Sequence, residues 1–359
     1  MIMMRILMLG PSLTQNGGIA TLENHILKYA PATVTVEHIA THDEGSVAYR
    51  GWVFTKALTQ FFRKLIQQPP DVIHLHLSER GSVFRKIILT RIARSFKKPV
   101  IIHTNGAEFH LFFSQLPAPV QATFRNIFQC CTFFIVLSQR EQELYQQTLG
   151  LKPEQIFILP NSVEIPPEVP GRQNRSQITL AFCGRIGARK GVFDLIQAYS
   201  QLPPKLQNCS QLILAGDGEI ERAKALISQL NLTEKIQLTG WINPEEMKQL
   251  LSKSDIFILP SYNEGLPLAL LEAMGWSLPV ITTPVAAIPD IVKSEKNGLL
   301  VQPGDVKNLY QSMALLIENE SLRLSLGMAA RSTVLPLEVH QFWYNLIDIY
   351  QHIIKNTPK

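Results

Sequence analysis

The sequence predicts an α/β chain of two Rossmann-like domains in tandem, each an open parallel sheet, facing each other across a central cleft. Three observations lead there. Short apolar runs alternate with longer stretches of helical periodicity, as parallel strands joined by covering helices do. The alternation comes in two sets, separated by the proline-rich and then polar segment IPPEVPGRQNRS at 165–176, a linker-like composition. A length of 359 residues also exceeds what one hydrophobic core usually serves.

In chain order, the first set of strands is predicted at Arg5–Leu9, Thr33–His38, Asp71–His76, Val100–His103 and Phe133–Leu137. The second set falls at Ile178–Cys183, Gln211–Ala215, Ile236–Leu238, Ile256–Leu259 and Val280–Thr282. The domains are therefore drawn at 1–165 and 177–337, with a linker at 166–176 and a terminal helix at 338–359. That helix is amphipathic, and its periodicity fits two placements, back across the first domain or as a cap on the second. In open parallel sheets ligands bind outside the carboxyl ends of the strands, so informative residues should lie just after strands.

Composition excludes several classes. With 46% hydrophobic and 18% charged residues, the chain is globular and not disordered. The net charge of +5 is concentrated in Arg80, Arg85, Lys86, Arg91, Arg94, Lys97 and Lys98, a stretch suited to phosphates or anionic lipid. No helix-turn-helix, zinc-finger or aromatic RNA-binding signature accompanies it, and nucleic acid is not an expected partner. Cys130, Cys131, Cys183 and Cys209 lack CxxC spacing and read as reduced thiols. The N-terminus is too short for a signal sequence and no run of about 18 apolar residues follows, so a cytoplasmic location is expected.

The densest chemistry is SYNEGLPLALLEAMG at 261–275. Glu264 falls on a loop broken by Gly265 and Pro267, and proline is favoured at the first position of a helix. Glu272 falls inside that helix among Leu268, Leu270, Leu271 and Met274, where no ordinary solvated face exists. Upstream, CGRIGARKG places Arg185 and Lys190 on a glycine-rich turn between a strand and a helix, the makings of a diphosphate site. Gly17 and Gly18 precede the first helix, where backbone amides and the helix dipole suit an anion. Neither loop has the GxGxxG dinucleotide fingerprint. His103 ends a strand and would point to the cleft. His74 and His76 share a strand face, but no third ligand stands at a telling spacing, and no metal is expected.

Taken in order, GGI after the first strand, a strand-ending histidine, GR-x4-KG and Glu-x7-Glu resemble glycosyltransferase family 4, which has the GT-B fold. VLSQREQE, ILPNSVE and GWINPEEM fall at that family's connecting segments, so the resemblance spans nearly the whole chain. It implies a retaining transfer from a nucleotide sugar (UDP-, GDP- or ADP-linked) with no cofactor. Glu264 would contact the donor sugar near the reacting centre and Glu272 the ribose hydroxyls. Arg185 and Lys190 would hold the diphosphate, with amides from Gly17 and Gly18, and the main chain from Gly265 through Leu266 and Pro267 to Leu268 would donate to sugar or phosphate. His103 would face donor sugar and acceptor. One departure is plain: Ala286, Ala287 and Asp290 stand where many relatives carry a glycine pair and a glutamate.

The implied role is transfer to a saccharide or lipid-linked saccharide during surface polysaccharide or glycolipid synthesis. The basic helix within Arg80–Lys98 mixes Phe84, Ile87, Ile88, Ile92 and Phe96 with cations, as a helix touching the inner face of an anionic membrane does; core packing explains the same apolar residues equally well. The alternative is a nucleotide-sugar-binding scaffold or pseudoenzyme that has kept the cleft without turnover.

Overall fold

The computed structural model describes residues 3–106, 108–129 and 132–357; the thiols of Cys130 and Cys131 lie outside them. The chain forms two compact units. One runs to Ser162 and resumes at Val339, and the other is Val163–Glu338.

The first unit is a six-stranded parallel sheet: β1 (Met4–Pro11), β2 (Val34–His42), β3 (Val72–Leu77), β4 (Val100–Thr104), β5 (Thr132–Val136) and β6 (Ile156–Ile158), in the order β2-β1-β3-β4-β5-β6. The second repeats the plan with β7 (Ile178–Cys183), β8 (Ser210–Ala215), β9 (Ile236–Gly240), β10 (Ile256–Leu259), β11 (Val280–Thr282) and β12 (Leu299–Leu300), in the order β12-β11-β10-β7-β8-β9. All ten expected strands are present. The two that sequence did not suggest, β6 and β12, are edge strands too short to carry a pattern. Central strands such as β3 and β10 are buried along their whole length, as parallel strands covered on both faces must be.

In each sheet the connections run outward in opposite directions from the first strand, so strand order reverses between β1 and β3 and between β7 and β10. Such switch points open a crevice at the carboxyl ends of the two strands.

The segment read as a linker is anchored to the second unit. Arg172, only 4% exposed, donates to the carbonyls of Ser254 and Leu251 at 2.8 and 3.2 Å, and Arg175 donates to that of Lys253 at 2.9 Å. These are carbonyls at the end of the helix Pro244–Lys253, which the helix itself leaves unpaired and whose dipole favours cations. The units therefore divide at 162/163 and 338/339, and 166–176 is no free tether. The terminal helix Val339–Asn356 takes the first of its two expected placements. It belongs to the first unit, where Tyr350 Oη lies 2.6 Å from His74 Nδ1 on β3. Among the described residues no helix is long and apolar enough to cross a membrane.

Candidate active site

In the second unit the loops after β7 and β10 meet at the switch point, and glycine makes the meeting possible. Gly191 has a φ of 68°, and a Cβ there would lie 2.1 Å from the carbonyl oxygen of Pro260. A Cβ on Gly216, in the loop after β8, would likewise lie 1.8 Å from the carbonyl oxygen of Gly184 after β7. Side chains at these positions would push the loops apart.

The contact aligns the charged residues. Lys190 Nζ lies 2.5 Å from Glu264 Oε1, and Ser261 Oγ donates to the same oxygen at 2.7 Å. Glu264 is 5% exposed, and a carboxylate so enclosed needs both partners. Arg185 is largely exposed and leans on Asp217 at 3.3 Å, a contact worth little in water. Tyr262 N–H donates to the Arg189 carbonyl at 2.9 Å, and Arg189 Nη1 donates to that of Asn263 at 3.3 Å, so Arg189 ties the loops together.

Pro267 caps the helix Leu268–Gly275 with β-region dihedrals and is not its first residue, one position from the expectation. Pro267 offers no side-chain cap to that N-terminus, so its first amides suit an anion. Leu266 and Leu268 are buried beneath it. On the same helix burial, and then the nearby Glu164 carboxylate, push the Glu272 carboxyl up to about 7, while Lys248 acts the other way. Cys183, at the end of β7, lies within the influence of both Glu272 and Lys190; burial is the main cause that raises its thiol to about 12, so it is an inert filler and no nucleophile. Ala286 holds a φ of 46°, and the Ala287 N–H donates to the Gly265 carbonyl at 3.3 Å. The loop thus keeps a glycine-type backbone without glycine.

In the first unit Gly17, with φ 144°, caps the helix Gly18–Lys28, which has no side-chain cap. Both glycines line a cavity of about 380 Å³ at the carboxyl ends of β1, β2 and β3. His103 is elsewhere. It is fully buried in a stack with His74 and His76, with ring centroids 5.0 Å from His76 and Nδ1 3.3 Å from His74 Nε2. Burial pushes it down to about 3, so its ring is neutral, and Nε2 has no hydrogen-bond partner among the described residues. It does not present an exposed face after the strand, because Thr104 extends β4 beyond it. The trio's ring nitrogens approach within 4.8 Å of one another. However, His74 engages both nitrogens, with Tyr350 and His103, and His74 and His76 stack at 8°, so their in-plane lone pairs do not converge on one point.

Eight of the eleven residues singled out from sequence thus gather in the second unit: Arg185, Lys190, Gly265, Leu266, Pro267, Leu268, Glu264 and Glu272. Ser261, Glu164 and Lys248 were missed. Ser261 stands three residues before Glu264, a legible spacing, whereas Glu164 and Lys248 are brought to Glu272 by tertiary folding alone.

Two doubly wound sheets, one carrying cations and carboxylates at its switch point, define a GT-B glycosyltransferase that uses nucleotide sugars. The sequence matches the glycosyl transferases group 1 model over residues 169–333 and the glycosyltransferase family 4 model over residues 19–165. The chain belongs to this family of retaining glycosyltransferases.

It is 27% identical over 321 residues to the UDP-Gal:alpha-D-GlcNAc-diphosphoundecaprenol alpha-1,3-galactosyltransferase of Escherichia coli, covering 84% of this chain and 80% of that one. The amylovoran biosynthesis glycosyltransferase AmsK of Erwinia amylovora is 31% identical over 157 residues, 42% of this chain and 38% of its own length. Among solved structures, sucrose-phosphate synthase from Thermosynechococcus elongatus superposes with a TM-score of 0.83 at 18% identity, covering 98% of this chain and 99% of that one. Anabaena HepE in complex with UDP-glucose superposes with a TM-score of 0.76 at 20% identity, covering 97% and 100%. At these identities the two likenesses speak to the fold.

Proposed function

We propose that the chain moves a sugar from a nucleoside-diphosphate sugar to a hydroxyl of a saccharide or lipid-linked saccharide, in the synthesis of a surface polysaccharide or glycolipid. The observation that carries this reading is the Lys190–Glu264 pair at the β7/β10 switch point, with Arg185 on the same loop as Lys190. Arg185, Lys190 and the open N-terminus at Leu268 stabilise the diphosphate as it departs with negative charge, and Gly17 and Gly18, at the uncapped start of the first unit's first helix, suit an anion. Glu264 holds the donor sugar near the reacting carbon and Glu272 accepts from the ribose hydroxyls. The unpartnered Nε2 of His103 supports a hydrogen bond to donor sugar or acceptor. The departing phosphate takes the acceptor proton on the same face, which preserves the configuration.

The acceptor's chemistry makes a place at the inner face of the membrane part of the proposal. Of the apolar residues expected to face lipid, Ile87 is buried and Ile92 and Phe96 pack on the core, which leaves Phe84 and Ile88. The neighbouring helix Val47–Gln67 adds exposed Trp52, Phe62 and Ile66 beside Lys56 and Arg63, an aromatic and basic mixture suited to an interface.

The test is a thermal-shift panel of UDP-, GDP- and ADP-sugars followed by donor hydrolysis and transfer. One donor should raise the melting temperature, and Glu264→Ala should abolish turnover while leaving nucleotide binding. A stabilising donor that neither the wild type nor Glu264→Ala turns over would identify a scaffold and overturn the enzyme reading.

A further inference from the structure

The stacked histidines of the first unit, His74 and His76 on β3 and His103 on β4, each face a different partner, and partners decide which ring nitrogen carries the hydrogen. Burial lowers all three, so each neutral ring has one N–H that donates and one bare nitrogen that accepts. Two of them lie in a line with the terminal helix. Tyr350 Oη is 2.6 Å from His74 Nδ1, and His74 Nε2 is 3.3 Å from His103 Nδ1. The line ends at His103 Nε2, which is buried and makes no hydrogen bond among the described residues.

The hydrogens along this line can run in two directions. When the Tyr350 hydroxyl donates to His74 Nδ1, His74 Nε2–H donates to His103 Nδ1, and the last hydrogen sits on His103 Nε2. In the reverse order His103 Nδ1–H donates to His74 Nε2 and His74 Nδ1–H donates to Tyr350 Oη. The phenolic hydrogen is then stranded, because Tyr350 is fully buried and its hydroxyl has no second partner among the described residues. A buried donor without an acceptor costs free energy. Length favours the first order too: 2.6 Å suits an O–H donor, whose hydrogen bonds run shorter than those of N–H.

His76 does not compete for His103. Asn105 Nδ2 lies 3.1 Å from the His103 carbonyl oxygen and 3.2 Å from His76 Nδ1. A carbonyl only accepts, so the amide nitrogen must face it, and His76 Nδ1 accepts from the same group. The His76 hydrogen is therefore on Nε2, 3.9 Å from Glu23 Oε1. Against His103 the ring of His76 only stacks, with centroids 5.0 Å apart.

We infer that Tyr350 and His74 are positioning residues that hold His103 as its Nε2–H tautomer, so that this ring donates to a hydroxyl oxygen of the sugar and takes no proton from the acceptor. The inference deepens the role proposed for His103 and rests on that reading. It leaves the departing phosphate as the group that takes the acceptor proton. It also gives the terminal helix a part in the chemistry, through a tyrosine 276 positions from His74 in sequence.

Nitrogen-15 NMR of the whole protein, labelled in histidine, reads the tautomers without any substrate. His74 and His103 of the wild type should both carry hydrogen on Nε2 and none on Nδ1. Tyr350→Phe removes only the hydroxyl and should bring a second form of His103, protonated at Nδ1, to a comparable population. Its kcat/KM for transfer should fall at least about twofold, in step with the Nε2–H fraction that remains, while nucleoside diphosphate affinity holds within about twofold. His103→Gln, which keeps an amide donor and cannot take up a proton, should retain more turnover than His103→Leu.

The inference is overturned if wild-type His103 carries its hydrogen on Nδ1, if Tyr350→Phe leaves the single Nε2–H form, or if His103→Gln turns over no faster than His103→Leu. Should Tyr350→Phe fail to fold, the wild-type spectrum decides, since a bare Nε2 on either ring refutes the relay. A protein that transfers no sugar refutes the proposed function separately. Nε2–H on both rings, lost at His103 in Tyr350→Phe, would then still support the relay.

Discussion

Lys190 Nζ and Glu264 Oε1, 74 positions apart in sequence, stand 2.5 Å from each other across two loops that glycine brings together. The pair joins the group assigned to the diphosphate with the group assigned to the sugar, so donor binding must redistribute one ammonium between a carboxylate and a phosphate. Lys190→Met should lower kcat/KM by about 10²–10³, the scale of removing one donor from a developing charge. It should also destabilise the fold by about 3 kcal/mol, because Glu264 is left enclosed without its counter-charge. Lys190→Met/Glu264→Gln should regain most of that stability and none of the activity, measured by urea unfolding alongside transfer. Equal stability of wild type and Lys190→Met would mean the pair holds nothing together.

Glu272 sets a pH dependence. Its carboxyl titrates near 7 in the folded chain against an ordinary 4.5, and only the ionised form accepts from both ribose hydroxyls. Donor KM should therefore fall roughly tenfold from pH 6 to pH 8, and Glu272→Gln should flatten the profile at the weaker level. Stability moves the other way. Between about 4.5 and 7 the folded chain holds a proton that the unfolded chain releases, so this group's contribution declines as pH rises through that window. Glu272→Gln should consequently melt higher than wild type at pH 8 and not at pH 4.5. Parallel profiles for the two proteins would refute the assignment.

The sheets were legible because buried parallel strands are short apolar runs, and the site because a ligand loop must sit at strand ends. Glu264, Glu272, Arg185 and Lys190 announced themselves as charges where periodicity allowed none, or as cations on a glycine turn. Partners stayed hidden. Nothing local in Lys248 or Glu164 marks them as neighbours of Glu272, and Arg172 reads as a linker residue until the end of a helix is placed beneath it. The burial of His103 stayed hidden for the same reason: a strand-ending histidine looks exposed until Thr104 extends the strand and the terminal helix covers the sheet face carrying His74.

Ala286 is a local test of the departure from the family's glycine pair. Its φ of 46° costs an L-residue about 1 kcal/mol that glycine avoids. Ala286→Gly should therefore raise stability by up to about 1 kcal/mol, less what glycine's freedom in the unfolded chain returns, and donor KM should improve if close backbone approach matters. Calorimetry and donor kinetics on the one variant read both effects. A destabilised variant would show that the alanine methyl packs more usefully than its backbone suffers.

The buried histidines predict acid sensitivity with a definite sign. His74, His76 and His103 all titrate well below their ordinary 6.5, chiefly through burial. Below pH 6.5 the unfolded chain binds protons at these positions that the folded chain refuses, so stability falls as pH falls. Three such groups give a slope of up to about 4 kcal/mol per pH unit once well below 6.5. Glu23 works against them: burial raises it from 4.5, with His38 and Lys86 acting the other way, so its contribution grows as pH falls and offsets part of the slope. Urea midpoints at pH 7.5, 6.5 and 5.5 should therefore drop mainly in the last interval, and His103→Gln should shed about a third of the slope whatever it does to stability at pH 7.5. A midpoint as high at pH 5.5 as at 7.5 would mean that the trio takes up protons in the folded chain, and the neutral, stacked arrangement would have to be abandoned.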